Sequence, residues 1–100
     1  MFAPHHRIGR STHQVSSDFG DEAAILQLDA SRYYGVNEVG THIWHLIETP
    51  RTVEEICRSI EATFEVAPAT CRADTERFLA RLHAARLIDF SSLGEIPAHD

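Results

Sequence analysis

Residues 26–40 read LQLDASRYYGVNEVG, and this stretch decides the fold. Leu26 and Leu28 alternate with Gln27 as a half-buried strand would, Asp29-Ala30-Ser31 supplies turn residues, and Arg32-Tyr33-Tyr34-Gly35-Val36 is rich in strand formers. Asn37 then stands where a helix N-cap belongs, with a side-chain oxygen suited to accept from a first-turn backbone N–H. A hairpin running straight into a capped helix is a compact unit. If its second strand lies at a sheet edge, the unpaired N–H and C=O groups there are a template for another chain. Alternation puts Tyr34 and Val36 on one face and Tyr33 and Gly35 on the other, so one tyrosine belongs to the core. Val36 and the run into Asn37 favour Tyr34.

Outward from this hairpin, a short strand is expected over residues 13–19, ended by the turn signal Gly20-Asp21. With strands over 23–29 and 31–36 it makes an antiparallel meander. Downstream, a helix is expected over residues 37–48, with Val39, Ile43, Leu46, Ile47 and Trp44 on its apolar face and Glu38, His42, His45 and Glu48 on its wet side. Thr52-Val53-Glu54-Glu55 is a capping box that opens a second helix, whose stripe is Val53, Ile56, Cys57, Ile60 and Phe64. Pro68 suits the first turn of a third helix, where Cys71, Thr75, Phe78, Leu79 and Leu82 recur at helical spacing up to about residue 86. Leu87-Ile88-Asp89-Phe90 reads as an apolar, strand-like cover. The expected fold is α+β and winged helix-turn-helix-like, a three-stranded antiparallel sheet followed by three helices. Residues 1–12 read as a flexible lead-in, 13–90 as one domain and 91–100 as a frayed tail.

The 100 residues, 43% hydrophobic, suit one small core. A net charge of −6, from 15 acidic residues against nine arginines and no lysine, offers no global attraction to nucleic acid or an anionic membrane. No apolar run approaches the roughly 18 residues of a membrane span, and the N-terminus lacks a signal-peptide core, so the chain reads as cytoplasmic. Cys57 and Cys71 are not a CxxC pair and read as free thiols packed as small hydrophobes.

The element order also matches small DNA-binding regulators, the alternative function. Arg77 and Arg81 are neighbours at i, i+4 on the third helix, but Arg72 and Arg86 point elsewhere, Asp74 and Glu76 intervene, and the second helix carries Glu54, Glu55 and Glu61 against Arg58. That pattern is a poor phosphate anchor. Glu38, His42 and His45 have a spacing that metal ligands use, yet they are too few for a structural zinc site and also form the expected wet helix face. Both cysteines sit on apolar stripes, and no GxSxG, HExxH, P-loop or GxGxxG pattern occurs, so an enzyme is not expected. No cofactor is implied.

Leu28-Asp29, Tyr33-Tyr34-Gly35-Val36-Asn37, Gly40, Ile43-Trp44, the run Arg51 to Ile56, and then Asp74, Phe78-Leu79 and Leu82 together resemble the PqqD-like family. The similarity spans about residues 15–89, and Tyr-Tyr-Gly-Val-Asn-Glu-Val-Gly is most similar to the stand-alone members of lasso-peptide biosynthesis. The resemblance implies a RiPP recognition element, a non-catalytic module that captures the leader of a ribosomally made precursor peptide. It further implies that the leader joins the third strand as an antiparallel strand beside the third helix, and is presented to a leader peptidase (a cysteine protease) and a cyclase. The expected peptide-binding residues are Arg32, Tyr33, Tyr34, Gly35 and Val36 on the strand and Cys71, Asp74, Thr75 and Phe78 on the helix, with Arg32 and Asp74 as polar rim.

Overall fold

The computed structural model describes residues 6–92. Strand β1 (His6–Arg10) precedes an antiparallel meander of β2 (Gln14–Phe19), β3 (Glu22–Gln27) and β4 (Arg32–Val36). Helices α1 (Glu38–Leu46), α2 (Val53–Thr63) and α3 (Pro68–Ala84) follow, and β5 (Ile88–Ser92) closes the order by pairing antiparallel with β1. The α+β expectation of a three-stranded antiparallel sheet and three helices holds, with a second, two-stranded sheet added.

The helix boundaries follow from local chemistry. Asn37 accepts from the Gly40 N–H at 2.8 Å and so starts α1. Thr52 and Glu55 form the reciprocal capping box of α2, at 3.2 and 3.0 Å. Pro68 occupies the first turn of α3, where it has no intrahelical bond to lose. The buried stripes of the three helices, with Ile43, Trp44, Ile56, Ile60, Leu79 and Leu82, meet Ala23 and Ile25 of β3 and Val36 of β4 in one core. Trp44 is wholly buried; its Nε1–H donates to Ser16 Oγ at 3.0 Å, and the Arg10 guanidinium lies 4.4 Å above its ring.

Three expectations are corrected. Residues 6–12 are not a lead-in: Ile8 is fully buried, its N–H and C=O pair with Arg51 at 2.6 and 3.0 Å, and Arg10 donates to the Trp44 carbonyl. One isoleucine among polar residues, paired with a strand at the far end of the chain, leaves no local period to detect. The inward face of β3 is also the opposite of the leucine pattern. Gln27 is buried and Leu28 is 47% exposed, because the Gln27 amide closes the hairpin: its Oε1 accepts from the Ala30 N–H at 2.7 Å. Val39, placed on the apolar face of α1, is 36% exposed and borders a cavity. Of the expected tail 91–100, Ser91 and Ser92 belong to β5, and the rest lies outside the described residues.

Candidate functional site

In the meander, β4 pairs only with β3, so its other side is an open edge. The register fixes which main-chain groups lie there. The Leu28 N–H donates to the His13 carbonyl at 3.0 Å, and the in-register alternation makes Ala24 and Leu26 bond toward β2, while Ala23, Ile25 and Gln27 bond toward β4. Their partners Val36, Tyr34 and Arg32 therefore spend their groups on the β3 ladder. Tyr33 and Gly35 turn their N–H and C=O outward.

Side chains alternate on the same strand. Tyr34 is half-buried against the core and Val36 is buried, whereas Tyr33 is 72% exposed on the outer sheet face, in a cross-strand row with Val15 and Leu26. Arg32 is exposed at the start of β4, and Gly35 adds no side chain to the edge.

Two cavities lie along α3. One, of about 570 Å³, runs between β4 and α3 and is lined by Tyr33 to Val36 together with Phe78, Arg81 and Leu82. The other, of about 620 Å³, lies between α1 and α3, with Val39, Ile43, Phe64 and Val66 among its apolar walls. Cys71 and Thr75 line this second cavity as buried residues, and Asp74 lines it as an exposed one. The strand and helix residues expected to form one peptide site are thus divided. The β4 residues line the first cavity, with Gly35 and Val36 also bordering one of about 430 Å³ beside Phe19 and Ala24; Cys71, Asp74 and Thr75 line the second, and Phe78 belongs to both cavities along α3.

Two of the three arginines of α3 are paired. The Asp74 carboxylate is engaged by Arg77 at 2.8 Å, and Arg72 is held by Glu76 at 3.1 Å, a bond that raises the Arg72 guanidinium above its ordinary range. Burial pushes the Cys57 thiol up to about 11, so it stays protonated and unreactive at neutral pH. No group of three or more His, Cys, Asp or Glu that would hold a metal occurs among the described residues, and no helix there is long and apolar enough to cross a membrane. His42, once weighed as a ligand, sits 2.8 Å from Ser59 Oγ, and His45 lies 3.0 Å from Asp18.

Arg81, Val39 and Ile43 also line these cavities and are not among the residues expected from the sequence. Arg81 follows Phe78 at i+3 on α3, a spacing that puts it beside the expected site face.

The profile for Coenzyme PQQ synthesis protein D (PqqD) matches residues 22–88. The chain belongs to the PqqD family. A solved relative of this PqqD-family chain, TbiB1 in complex with the TbiA(beta) leader peptide, is 33% identical, with a TM-score of 0.77 over 81% of this chain and 94% of that one. A lasso peptide synthetase B1 complexed with its leader peptide has 10% identity and a TM-score of 0.73, covering 82% and 96% of the two chains. The PqqD truncation of Methylobacterium extorquens PqqCD, a stand-alone RiPP recognition element, has 18% identity and a TM-score of 0.72, covering 89% and 95%. At those lower identities, the last two establish the shared fold. Among curated proteins, no match was found.

Proposed function

We propose that this PqqD-family chain is a RiPP recognition element that captures the leader segment of a ribosomally made precursor peptide, of the lasso class, and hands it to a leader peptidase and a cyclase. It acts by binding, not catalysis. The observation that carries the reading is the open β4 edge, with the Tyr33 and Gly35 main-chain groups turned outward beside α3. The family match and the 33% identical TbiB1, solved with a leader peptide, support it.

The physics of such an edge fits a peptide guest. Each main-chain hydrogen bond contributes about 0.5 to 1.5 kcal/mol net and is indifferent to side-chain identity, so selectivity has to come from the cavities. An apolar guest side chain fully buried against Phe78 adds about 1.5 to 3 kcal/mol. After the guest is ordered, affinities of roughly nanomolar to micromolar follow. Arg32, Tyr33, Tyr34, Gly35 and Val36 form the docking strand in this reading, and Cys71, Asp74, Thr75 and Phe78 the helical side.

Titration with a fluorescently labelled precursor leader tests it. Binding is expected to weaken strongly in Tyr33→Pro, which removes an outward donor without breaking the β3 ladder, and in Phe78→Ala. Undiminished binding by a folded Tyr33→Pro protein would sink strand addition. Affinity falls only modestly with salt, whereas a DNA-binding protein loses it steeply.

A further inference from the structure

Arg81 stands where the two cavities meet, one turn beyond Phe78, and it lines both. Among the described residues it is the only charged one lining the β4 cavity; its companions there are tyrosine, glycine, valine, phenylalanine, leucine and alanine. The other arginines of α3 are occupied, Arg72 by Glu76 and Arg77 by Asp74. Arg58 pairs with Glu54, and Arg10 and Arg51 donate to the carbonyls of Trp44 and Leu46. The exposed Arg81 guanidinium has no such partner among the described residues.

The strand parity says what would meet it. In an antiparallel pair, directly opposed residues point to the same face. Guest residues opposite Tyr34 and Val36 therefore point to the α3 side of the sheet, toward Phe78 and Arg81, while those opposite Tyr33 and Gly35 point to the outer face. The chain as a whole carries a net charge of −6, which disfavours acidic guests in general. A free guanidinium on an apolar wall is a local exception, and its planar fork suits a carboxylate.

We propose that Arg81 is a specificity residue that selects leader segments carrying an Asp or Glu on the helix-facing side of the docked strand, an even number of residues from the apolar side chain seated on Phe78. It rests on the strand-addition reading above. The whole-protein field and the local cation act together: an acidic residue elsewhere in the guest weakens binding, and at this one position it strengthens binding. Lysine or arginine at the same position is rejected by like charge.

A random-peptide display library, panned on the full-length protein and on its Arg81→Glu and Arg81→Gln variants, tests this. The wild type is expected to enrich peptides with an apolar residue and an acidic one at i±2 or i±4. Arg81→Glu is expected to enrich Lys or Arg there instead, and Arg81→Gln to lose the preference. An acidic peptide selected on the wild type should bind Arg81→Glu at least about tenfold more weakly. Arg81 is exposed, so the fold is expected to survive; should the charge reversal unfold the chain, Arg81→Gln carries the comparison. Identical sequence preferences for all three proteins, in peptides whose binding is lost in Tyr33→Pro, would overturn the role of Arg81 and leave strand addition standing. Peptides that bind Tyr33→Pro as well as wild type would overturn strand addition and this proposal with it.

Discussion

The Phe78 ring packs directly on Gly40: a Cβ added at residue 40 would lie 3.0 Å from Phe78 Cζ and 3.2 Å from Val36 Cβ. The first turn of α1 thereby holds in place the ring that lines both cavities. Gly40→Ala gains about 1 kcal/mol of helix propensity but incurs about 1 to 3 kcal/mol of overpacking. Stability is expected to change by under about 2 kcal/mol, because the ring can swing away while Val36 Cβ, fixed to its backbone, has to yield only slightly. Peptide affinity should fall further than stability does. Thermal melts beside a peptide titration check this; a loss of stability with unaltered affinity would detach Phe78 from the site.

Ile8 is fully buried on a strand that pairs with both β5 and Arg51. Ile8→Ala is expected to cost about 2 to 5 kcal/mol, as deletions of buried aliphatic groups do. Urea denaturation measures it. A protein indifferent to Ile8→Ala would mean that residues 6–10 add nothing to the core.

Arg86 follows α3 with φ of 63°, and the Leu87 N–H next to it donates back to the Leu82 carbonyl at 2.9 Å. This is a left-handed helix end, which favours glycine. Arg86→Gly relieves side-chain strain and loosens the unfolded chain, for a net gain of about 0.5 to 1 kcal/mol. A rise in melting temperature is the expected sign.

Cys57 supplies a pH dependence. Burial raises its thiol from an ordinary 9.0 to about 11, so the folded state holds the proton more tightly than the unfolded state does. The associated stability is fully present below about pH 9 and is lost as pH rises through about 11. Urea midpoints under reducing conditions at about pH 8 and about pH 10.5 should fall more for wild type than for Cys57→Ala. Parallel declines would contradict this.

Much of this was legible in the sequence, for reasons that can be traced. The hairpin, the caps at Asn37 and Thr52 and Pro68 at the head of α3 are set by chemistry within four residues, and each stands where local rules put it. Alternation set Tyr33 and Tyr34 on opposite faces, and the neighbouring Val36 and Asn37 pointed to Tyr34 as the inward one, as it is. Gln27 reversed the apparent face of β3, because a side-chain amide that closes a turn counts as polar in any hydropathy pattern. Strand β1 escaped notice because its stabilising partners, Arg51 and β5, are more than forty residues away. Phe78, which lines both cavities along α3, settles on Gly40, a contact between helices that periodicity on either one does not disclose.

The central claim is that a peptide joins the open edge of β4 through the main chain of Tyr33 and Gly35. Amide hydrogen exchange read by NMR, with and without saturating leader peptide, tests it most directly. The Tyr33 and Gly35 amides are expected to become strongly protected on binding, while the Tyr34 amide, already bonded to β3, changes little. Binding that leaves the Tyr33 and Gly35 amides exchanging at their free rates would contradict strand addition.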